Sequence, residues 1–135
     1  MTASTTDCPK HVRAGRFRKA EQFHDAAQGV LTLADDNDDV SDAFVTLCVH
    51  AGIAAADVIC CASLGKHATG ENHQTAVGLL RQVDKDAARH LKTLLDMKTK
   101  AAYTALAVSA DDVKRASRAV DALVAAARLR HSAAG

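Results

Sequence analysis

The sequence predicts an all-α protein, folded as an antiparallel up-and-down four-helix bundle. Three observations support this fold class. Apolar residues recur every three or four positions through four long segments, which is the spacing of one face of an α-helix. No segment alternates polar and apolar residues as a half-buried strand would. The connections between the segments are mostly short, and short connections place consecutive helices side by side in opposite directions.

The chain of 135 residues suits a single helical domain, because a chain of this length buries most of its unfolded surface without metals or disulfides. The predicted helices cover residues 9–34, 40–64, 73–98 and 110–130. Residues 1–6 and 132–135 lie outside the periodic segments, so we expect them to be disordered.

The first helix is predicted to begin at Pro9, because proline fits the first helical turn, with Asp7 or Cys8 as the preceding cap. The acidic run DDNDD then ends it. Its apolar face is formed by Phe17, Ala20, Phe23, Ala27, Val30, Leu31 and Ala34.

The acidic run partly matches a calcium-binding loop. Asp35, Asn37 and Asp39 have the spacing of the first three ligands. Val40 and Thr46, however, stand where such a loop needs glycine and a bidentate glutamate. We therefore interpret the run as the acidic N-terminal turn of the next helix, which the helix dipole favours.

The second helix is predicted from Val40 to Leu64 and is ended by Gly65, because glycine readily adopts the left-handed conformation that closes many helices. It is apolar almost all round, which is typical of a helix at the centre of a bundle or in a subunit interface. We therefore expect a homodimer that buries some of four apolar residues of this helix: Phe44, Leu47, Ile53 and Val58.

The third and fourth helices each carry one apolar stripe. The stripe of the third consists of Val77, Leu80, Val83, Ala87, Leu91, Leu94 and Leu95. Ser109 and Asp112 form a capping-box pattern at the start of the fourth, with aspartate in place of the preferred glutamate. The stripe of the fourth consists of Val113, Ala116, Val120, Leu123, Val124 and Ala127.

Composition argues against several classes of function. Lys and Arg number 17 against 16 Asp and Glu, and the formal net charge of +1 does not favour a DNA-coating protein. Aromatic residues make up 3% of the chain, so stacking platforms for single strands are not expected. The sequence shows neither a secretory signal nor a membrane span, so we predict a cytoplasmic protein without a membrane partner.

The four cysteines, Cys8, Cys48, Cys60 and Cys61, show no C-x-x-C spacing. The last two are adjacent in the second helix, where neighbouring side chains diverge. In a reducing cytosol we expect all four to be small buried hydrophobic residues with free thiols.

Two polar residues, His50 and Asp57, interrupt the apolar second helix and are predicted to form a buried polar network. They lie two helical turns apart on nearly the same face. A buried carboxylate needs a partner, and the basic candidates are Lys98, Lys100, Arg13 and Arg16. A structural ion pair and a functional site remain alternative interpretations.

The stretch MKTKAAYTALAVSADD places Lys98, Lys100 and Tyr103 at the junction of the third and fourth helices. Cations are favoured near a helix C-terminus and a tyrosine ring packs readily over a bundle end, so one interpretation is purely structural. The other is a basic cleft in which these residues and His73 bind a phosphate or nucleotide.

Scattered histidines raise the question of zinc. His67 and His73 flank the loop after the second helix, and His50 or His90 would be needed to complete a site. No cysteine or carboxylate stands at a supporting short spacing. The sequence therefore predicts neither a metal site nor a cofactor.

Three segments resemble the HEPN superfamily, small helical bundles named for nucleotide binding in eukaryotes and prokaryotes. AGRFRKAEQFHDAA is similar to the basic opening helix of that family, and NHQTAVGLLRQV to its S-H-x-x-A-V-x-L-L segment. LLDMKTKAAYTALAVSADDVKRASRAVDALVAAAR resembles its R-x-x-A-D-Y junction, its V-S-x-x-D start and its alanine-rich final helix. The resemblance spans nearly the whole chain.

The resemblance implies a bundle, commonly a homodimer, that acts in nucleotide binding, RNA cleavage or toxin–antitoxin pairing with minimal nucleotidyltransferases. Ribonuclease members carry an R-x4-6-H motif, whose arginine stabilises phosphate charge and whose histidine moves protons or orients the sugar hydroxyl. Here Lys98 and Tyr103 stand at the corresponding places. Because tyrosine is a poor general base at neutral pH, catalysis is not expected.

Three functions are therefore considered. The favoured one is a HEPN-like module that binds a nucleotide, an RNA phosphate or a protein partner without catalysis. The second is a divergent metal-independent ribonuclease that uses Lys98, Lys100 and Tyr103, with His50 as a further candidate. The third is a structural bundle or small-ligand sensor whose cavity holds an apolar molecule.

Overall fold

A computed structural model of the protein describes residues 4–70 and 72–135. Within these ranges the helices are α1 Lys10–Leu33, α2 Ser41–Leu64, α3 His73–Arg81, α4 Lys85–Tyr103 and α5 Ala110–Ala134. A short 3₁₀ turn, Asn37–Val40, precedes α2, and the strands β1 Thr5–Asp7 and β2 Lys66–Ala68 form a small antiparallel sheet. The chain is therefore mostly helical, which confirms the predicted class, and the sheet is an addition to it.

Helix α2 is the most enclosed element of the fold, packed by α1, α4 and α5. Phe44 and Val58 have no exposed surface in the single chain, whereas Leu47 and Ile53 are partly buried against the core. Phe44 and Val58 are therefore covered by their own chain, and of the four residues named for the homodimer only Leu47 and Ile53 keep some exposed surface. The homodimer itself stays a prediction.

The apolar composition of α2 is consistent with its burial in the core. Within the described residues, the segment Asn37–Leu64 is long and apolar enough to cross a membrane. However, 72% of its most apolar window is buried inside the protein, and core helices pass the same test. Internal packing therefore accounts for the composition of this helix.

Gly52 lets α4 and α5 approach α2 closely. A Cβ atom placed on Gly52 would lie 2.5 Å from Leu94 Cδ1 and 3.3 Å from Leu123 Cδ1. Both leucines are fully buried, so they can make room for a methyl group only by displacing other core side chains. The alanine-rich surface of α2 continues this close packing on either side of Gly52.

We expect Gly52→Ala to lower the free energy of unfolding by about 1–2 kcal/mol, because overpacking outweighs the better helix propensity of alanine. The matched control is Gly29→Ala in α1, where an added methyl group meets nothing within 4 Å. That control should raise stability by about 0.5–1 kcal/mol. Urea denaturation followed by circular dichroism measures both, and equal stability of the two variants would contradict the close approach at Gly52.

The predicted third helix, residues 73–98, is two helices in the structure. Helix α3 ends at Arg81, and α4 begins at Lys85 with Asp84 as its N-cap. The Asp84 Oδ1 atom accepts a hydrogen bond from the backbone N–H of Ala87 at 3.0 Å. The apolar stripe continues across the break at Val83, so the periodicity alone does not reveal the cap.

Cap residues mark three other helix ends for which the sequence makes a prediction. Gly65 ends α2 in the left-handed conformation, with φ of 71°, as predicted. Ser109 and Asp112 form the predicted capping box, and the hydrogen bond from the Ser109 backbone N–H lowers the pKa of Asp112. Pro9 is the N-cap of α1 with an extended backbone, so its prediction as the first helical residue is wrong by one position.

The expected disorder at the two ends is not found in the described residues. Thr5 and Thr6 belong to β1, and α5 continues to Ala134. Residues 1–3 of the predicted disordered segment lie outside the described residues. Pairing with β2 and packing against α1 give these ends regular structure, and the sequence pattern shows neither contact.

Contacts between α1 and α5 explain why the last helix continues. Arg13 donates a hydrogen bond from Nε to His131 Nδ1 at 3.2 Å and another from Nη2 to the Gly135 carbonyl at 3.1 Å. The ring of Phe17 stacks on that of His131 with centroids 4.5 Å apart. Burial and the neighbouring Arg13 guanidinium lower the pKa of His131, which keeps Nδ1 unprotonated as an acceptor.

Cys8 and Cys61 form a disulfide, so the expectation of four free thiols is wrong. The bond joins the residue that follows β1 to the last turn of α2. Cys48 and Cys60 are free and buried, as expected. Burial raises the pKa of each of these two thiols to about 12, so both stay protonated at neutral pH.

Candidate anion-binding site

Asp57, on α2, forms an ion pair with Arg16, on α1. The Arg16 Nε atom donates to Asp57 Oδ2 at 2.9 Å, and Asp57 keeps only 13% of its side chain exposed. His67 Nδ1 lies 3.8 Å from Asp57 Oδ1. Burial raises the pKa of Asp57, and the charges of Arg16 and His67 oppose that rise. Arg16 is thus the partner among the four basic residues proposed from the sequence.

This ion pair lies in the wall of a cavity of about 420 Å³, which we call the Asp57 cavity. Residues of α1, α2, β2, α3 and α4 and of the loop before α3 surround it. Its polar lining consists of Arg16, Asp57, His67, Thr69, Asn72, His73 and Lys98. Its apolar lining consists of Ile53, Ala56, Ala68, Ala76, Leu91 and Leu95, and Gly70 completes the wall.

The structure brings together two residues of the predicted phosphate site, Lys98 and His73. The Lys98 Nζ atom lies 3.1 Å from His73 Nε2. An ammonium group can only donate hydrogen bonds, so His73 must accept at Nε2, which corresponds to a neutral ring protonated at Nδ1. Both side chains line the Asp57 cavity.

Two other predicted site residues, Lys100 and Tyr103, lie outside this cavity. The Lys100 Nζ atom lies 3.4 Å from Asp112 Oδ2, which ties it to the start of α5. Tyr103 is 73% exposed at the end of α4. Their assignment to one cleft with Lys98 and His73 is therefore corrected by the structure.

His50 does not belong to a buried network with Asp57. It is exposed on α2, and its ring lies 5.5 Å from that of Phe23 on α1. Seven residues along a helix amount to almost two full turns, which leaves the two side chains about 10 Å apart along the axis. Asp57 is therefore paired with Arg16 and lies near His67, whereas His50 lies apart from them on the surface.

The described lining of the Asp57 cavity is rich in cations and hydrogen-bond donors. Arg16 and Lys98 supply a guanidinium and an ammonium group, and Asp57 is the one carboxylate among the described lining residues. His67 donates from Nδ1 to its neighbouring carbonyl, that of Ala68, at 2.8 Å. With Asp57 compensating Arg16, Lys98 adds a positive charge to a partly apolar cavity, which suits an anionic ligand.

A second depression adjoins the cavity, which we call the α3–α4 groove, also with a volume of about 420 Å³. It is lined by His73, Gln74, Val77, Arg81, Lys92, Leu95 and Asp96. His73 and Leu95 line both spaces, so the groove extends the cavity along α3 and α4. A ligand larger than a phosphate ion can therefore occupy both.

Sequence reasoning missed His67 and the role of Arg16 in this cavity. The sequence points to His67 only as a possible zinc ligand, because the pairing of β1 with β2, which sets its position, has no clear pattern in the sequence. It points to Arg16 only as a possible partner for Asp57. The basic segment RFRK is the one sequence signal that points to Arg16 as a cavity residue. Four basic or aromatic residues in a row do not show, however, which of them faces inward.

No protein-family model matches the chain, and no curated protein or solved structure matches it either. Within residues 4–70 and 72–135, no group of three or more His, Cys, Asp or Glu side chains is placed to hold a metal ion. Function is therefore inferred from the charges and hydrogen-bond donors of the Asp57 cavity.

Proposed function

We propose that the protein is a non-catalytic, HEPN-like binding module of the cytoplasm that holds the phosphate group of a nucleotide in the Asp57 cavity. The observation that carries this proposal is the hydrogen-bonded pair Lys98 and His73 in a cavity that also contains Arg16. A phosphate monoester carries about −1.5 to −2 charges at neutral pH. Cationic N–H donors are the groups that bind it most strongly.

Each cationic residue has a distinct part in binding. One of the three N–H donors of Lys98 is directed to His73, which leaves donors for phosphate oxygens. Asp57 holds Arg16 through Nε, and the guanidinium has further donors on its two Nη atoms. The carboxylate therefore orients Arg16 in advance, which reduces the entropy lost when an anion binds.

The apolar part of the lining suits the rest of a nucleotide. Ile53, Leu91 and Leu95 give the cavity an aliphatic wall, and the α3–α4 groove extends it beyond His73. The volume of about 420 Å³ lies in the range of small-molecule sites, roughly 300–1,000 Å³. No Phe, Tyr or Trp side chain is among the described lining residues, so the nucleoside is held mainly by apolar contact.

Calorimetric titration with adenosine 5′-monophosphate tests the proposal. We expect Lys98→Gln to weaken binding about 10- to 100-fold, the effect of removing a charged hydrogen-bond donor. Lys100→Gln is the matched control, because this lysine lies on the same helix but is paired with Asp112 outside the cavity. It should bind the nucleotide as the wild type does. Equal losses in both variants would contradict the assignment of the site.

Two further ligands show whether phosphate is the recognised group. Inorganic phosphate should compete with the nucleotide, and adenosine without phosphate should bind far more weakly. Adenosine binding as tightly as the monophosphate would contradict the proposal and would favour the third hypothesis, a sensor of apolar molecules.

We also propose that the fold is a four-helix bundle and that the protein binds a protein partner. Helices α1, α2, α4 and α5 are the four members of the antiparallel up-and-down bundle, and α3 is a short addition before α4. Their lengths of 19 to 25 residues and their packing around α2 support this arrangement.

A second copy of the chain or a minimal nucleotidyltransferase is the partner, and exposed Tyr103 and Leu106 offer apolar contact area for it.

One observation favours the second candidate, a metal-independent ribonuclease. His67 and His73 line the same cavity as Lys98, which supplies two imidazoles for proton transfer and one cation for phosphate charge. Lys100, Tyr103 and His50 are no longer part of this candidate. Single-stranded RNA incubated with the protein and EDTA should stay intact if the module only binds, whereas cleavage that is lost in His73→Gln would establish the enzyme.

A further inference from the structure

The disulfide lies where the small sheet meets the Asp57 cavity. Cys8 directly follows β1, and Cys61 lies in the last turn of α2, four residues before Gly65. The backbone N–H of Cys8 donates to the Gly65 carbonyl at 2.9 Å. The covalent bond therefore fixes one end of β1 beside the turn that leads into β2.

Strand β1 in turn supports one wall of the cavity. Thr6 pairs with His67, and the backbone N–H of Thr69 donates to the Ser4 carbonyl at 3.0 Å. His67 and Thr69 both line the cavity, on the same short segment as Ala68. The position of this wall therefore depends on the pairing of β1 with β2.

The sheet itself is small, and β2 also packs against α2 and α3. Each strand is three residues long, and Thr6 and Asp7 are exposed. An isolated pair of short strands is marginally stable in water, so pairing must be supported by contacts outside the two strands. The disulfide supplies such support, since it holds residues 53 apart in sequence at bonding distance and so keeps β1 next to β2.

We propose that the Cys8–Cys61 disulfide is a redox switch for the Asp57 cavity: oxidation fixes the wall that carries His67 and Thr69, and reduction releases β1 and weakens nucleotide binding. This inference rests on the proposed function. It also suits the proposed location, because the disulfides found in cytosolic proteins are often redox-sensing.

The chemistry of the switch is thiol–disulfide exchange with a dithiol protein or small molecule. Cys8 is 9% exposed and Cys61 4%, so exchange takes place when β1 opens locally. A thiolate of the dithiol then attacks Cys8 Sγ, breaks the bond to Cys61 and forms a mixed disulfide, and Cys61 takes up a proton. The second thiolate of the dithiol then displaces Cys8, so two cysteine thiols form while the dithiol becomes a disulfide. Cys60 and Cys48 do not compete, because burial keeps both as thiols.

Titration with adenosine 5′-monophosphate in the two redox states tests the switch. Reduced wild type and Cys8→Ser should both bind the nucleotide about 3- to 10-fold more weakly than the oxidised wild type, about the loss of one hydrogen bond. Cys60→Ala is the matched control, because it alters the neighbouring residue and leaves the disulfide intact. It should bind tightly when oxidised and weakly when reduced. Equal affinity of the oxidised and reduced wild type would overturn the proposal.

Hydrogen exchange gives a readout that does not depend on the ligand. The amides of residues 66–69 should exchange faster after reduction, while those in the middle of α2 keep their protection, which also shows that the protein remains folded. Unchanged exchange at residues 66–69 would overturn the switch even if the nucleotide binds. Faster exchange in a protein that binds no nucleotide when oxidised would refute the proposed function and leave a redox-controlled sheet without that ligand.

Discussion

Replacing Phe44 by alanine is expected to lower the free energy of unfolding by about 3–5 kcal/mol, among the largest effects of any single substitution here. Phe44 is fully buried on α2 in a single chain and is one of the largest side chains in the core. Removing its ring costs the transfer energy of the lost atoms and leaves a cavity among helices that cannot close completely. Urea denaturation followed by circular dichroism measures the change.

The control for Phe44 is Leu33→Ala, at the end of α1. Leu33 is 86% exposed, so its removal should change stability by less than about 0.5 kcal/mol. The loss of stability in Phe44→Ala should not depend on protein concentration, because the Phe44 ring is covered by its own chain. A Phe44→Ala effect that grows on dilution would mean that a second copy covers this face, and would contradict the packing described.

Replacing Arg16 by methionine is expected to destabilise the protein by about 3 kcal/mol at neutral pH. Methionine keeps the aliphatic bulk of arginine but leaves the Asp57 carboxylate without its ion-pair partner. Removing one member of a buried pair costs about 3–5 kcal/mol, and the lower end applies because Arg16 keeps 27% of its side chain exposed. Arg18→Met, two residues along α1 and exposed, is the matched control and should change stability by less than about 0.5 kcal/mol.

The effect of Arg16→Met should depend on pH in a defined direction. Burial raises the pKa of Asp57 above its ordinary value of 3.8, and Arg16 opposes that rise. A raised pKa means that the folded protein binds the proton more tightly than the unfolded chain does. The stability from this group is therefore present below pH 3.8 and is lost as the pH rises through the folded-state pKa.

Without Arg16 the pKa of Asp57 rises further, so the variant loses more stability over this range than the wild type does. The difference between the two proteins should be small near pH ~3, where Asp57 is protonated in both, and should reach its full size at neutral pH. Denaturation curves across the range measure it. A difference that is constant with pH would mean that Arg16 stabilises the fold by packing and not by its charge.

The parts of the fold that could be predicted are those fixed by local sequence. Gly65 ends α2 because glycine adopts positive φ at low cost, and Ser109 with Asp112 starts α5 by satisfying backbone N–H groups. The long apolar segments fold as helices because their stripes must be buried. These effects act within a few residues, so a single sequence is enough to reveal them.

The parts that were missed depend on contacts between distant residues. Cys8 and Cys61 are 53 positions apart, and spacing alone cannot determine which cysteines pair. Asp84 is the N-cap of α4, which agrees with the preference of aspartate for that position. The apolar stripe is unbroken across it, however, so the periodicity predicts one continuous helix. Strand β1 is too short to show an alternating pattern and exists through its pairing with β2.

Of the four residues predicted for the phosphate site, Lys98 and His73 line the Asp57 cavity, and helix geometry explains why Lys100 does not. Lys98 and Lys100 are two residues apart on α4, so their side chains point about 200° apart around the helix and cannot share one cleft. The structure accordingly places Lys98 in the Asp57 cavity with His73, and Lys100 beside Asp112. Which of the two lysines faces inward depends on the packing of α4 against α2, which the spacing of charges does not show.

The bond between Cys8 and Cys61 also closes a covalent ring that contains α1 and nearly all of α2. A protease that cuts the connection between Leu33 and Ser41 would then open the ring without separating the two helices into fragments. A mechanical force applied to the two termini would be carried by the disulfide bond, so α1 and most of α2 would not be stretched. In the oxidised protein, the first half of the chain is thus protected against both kinds of damage, and this protection ends when the bridge is reduced.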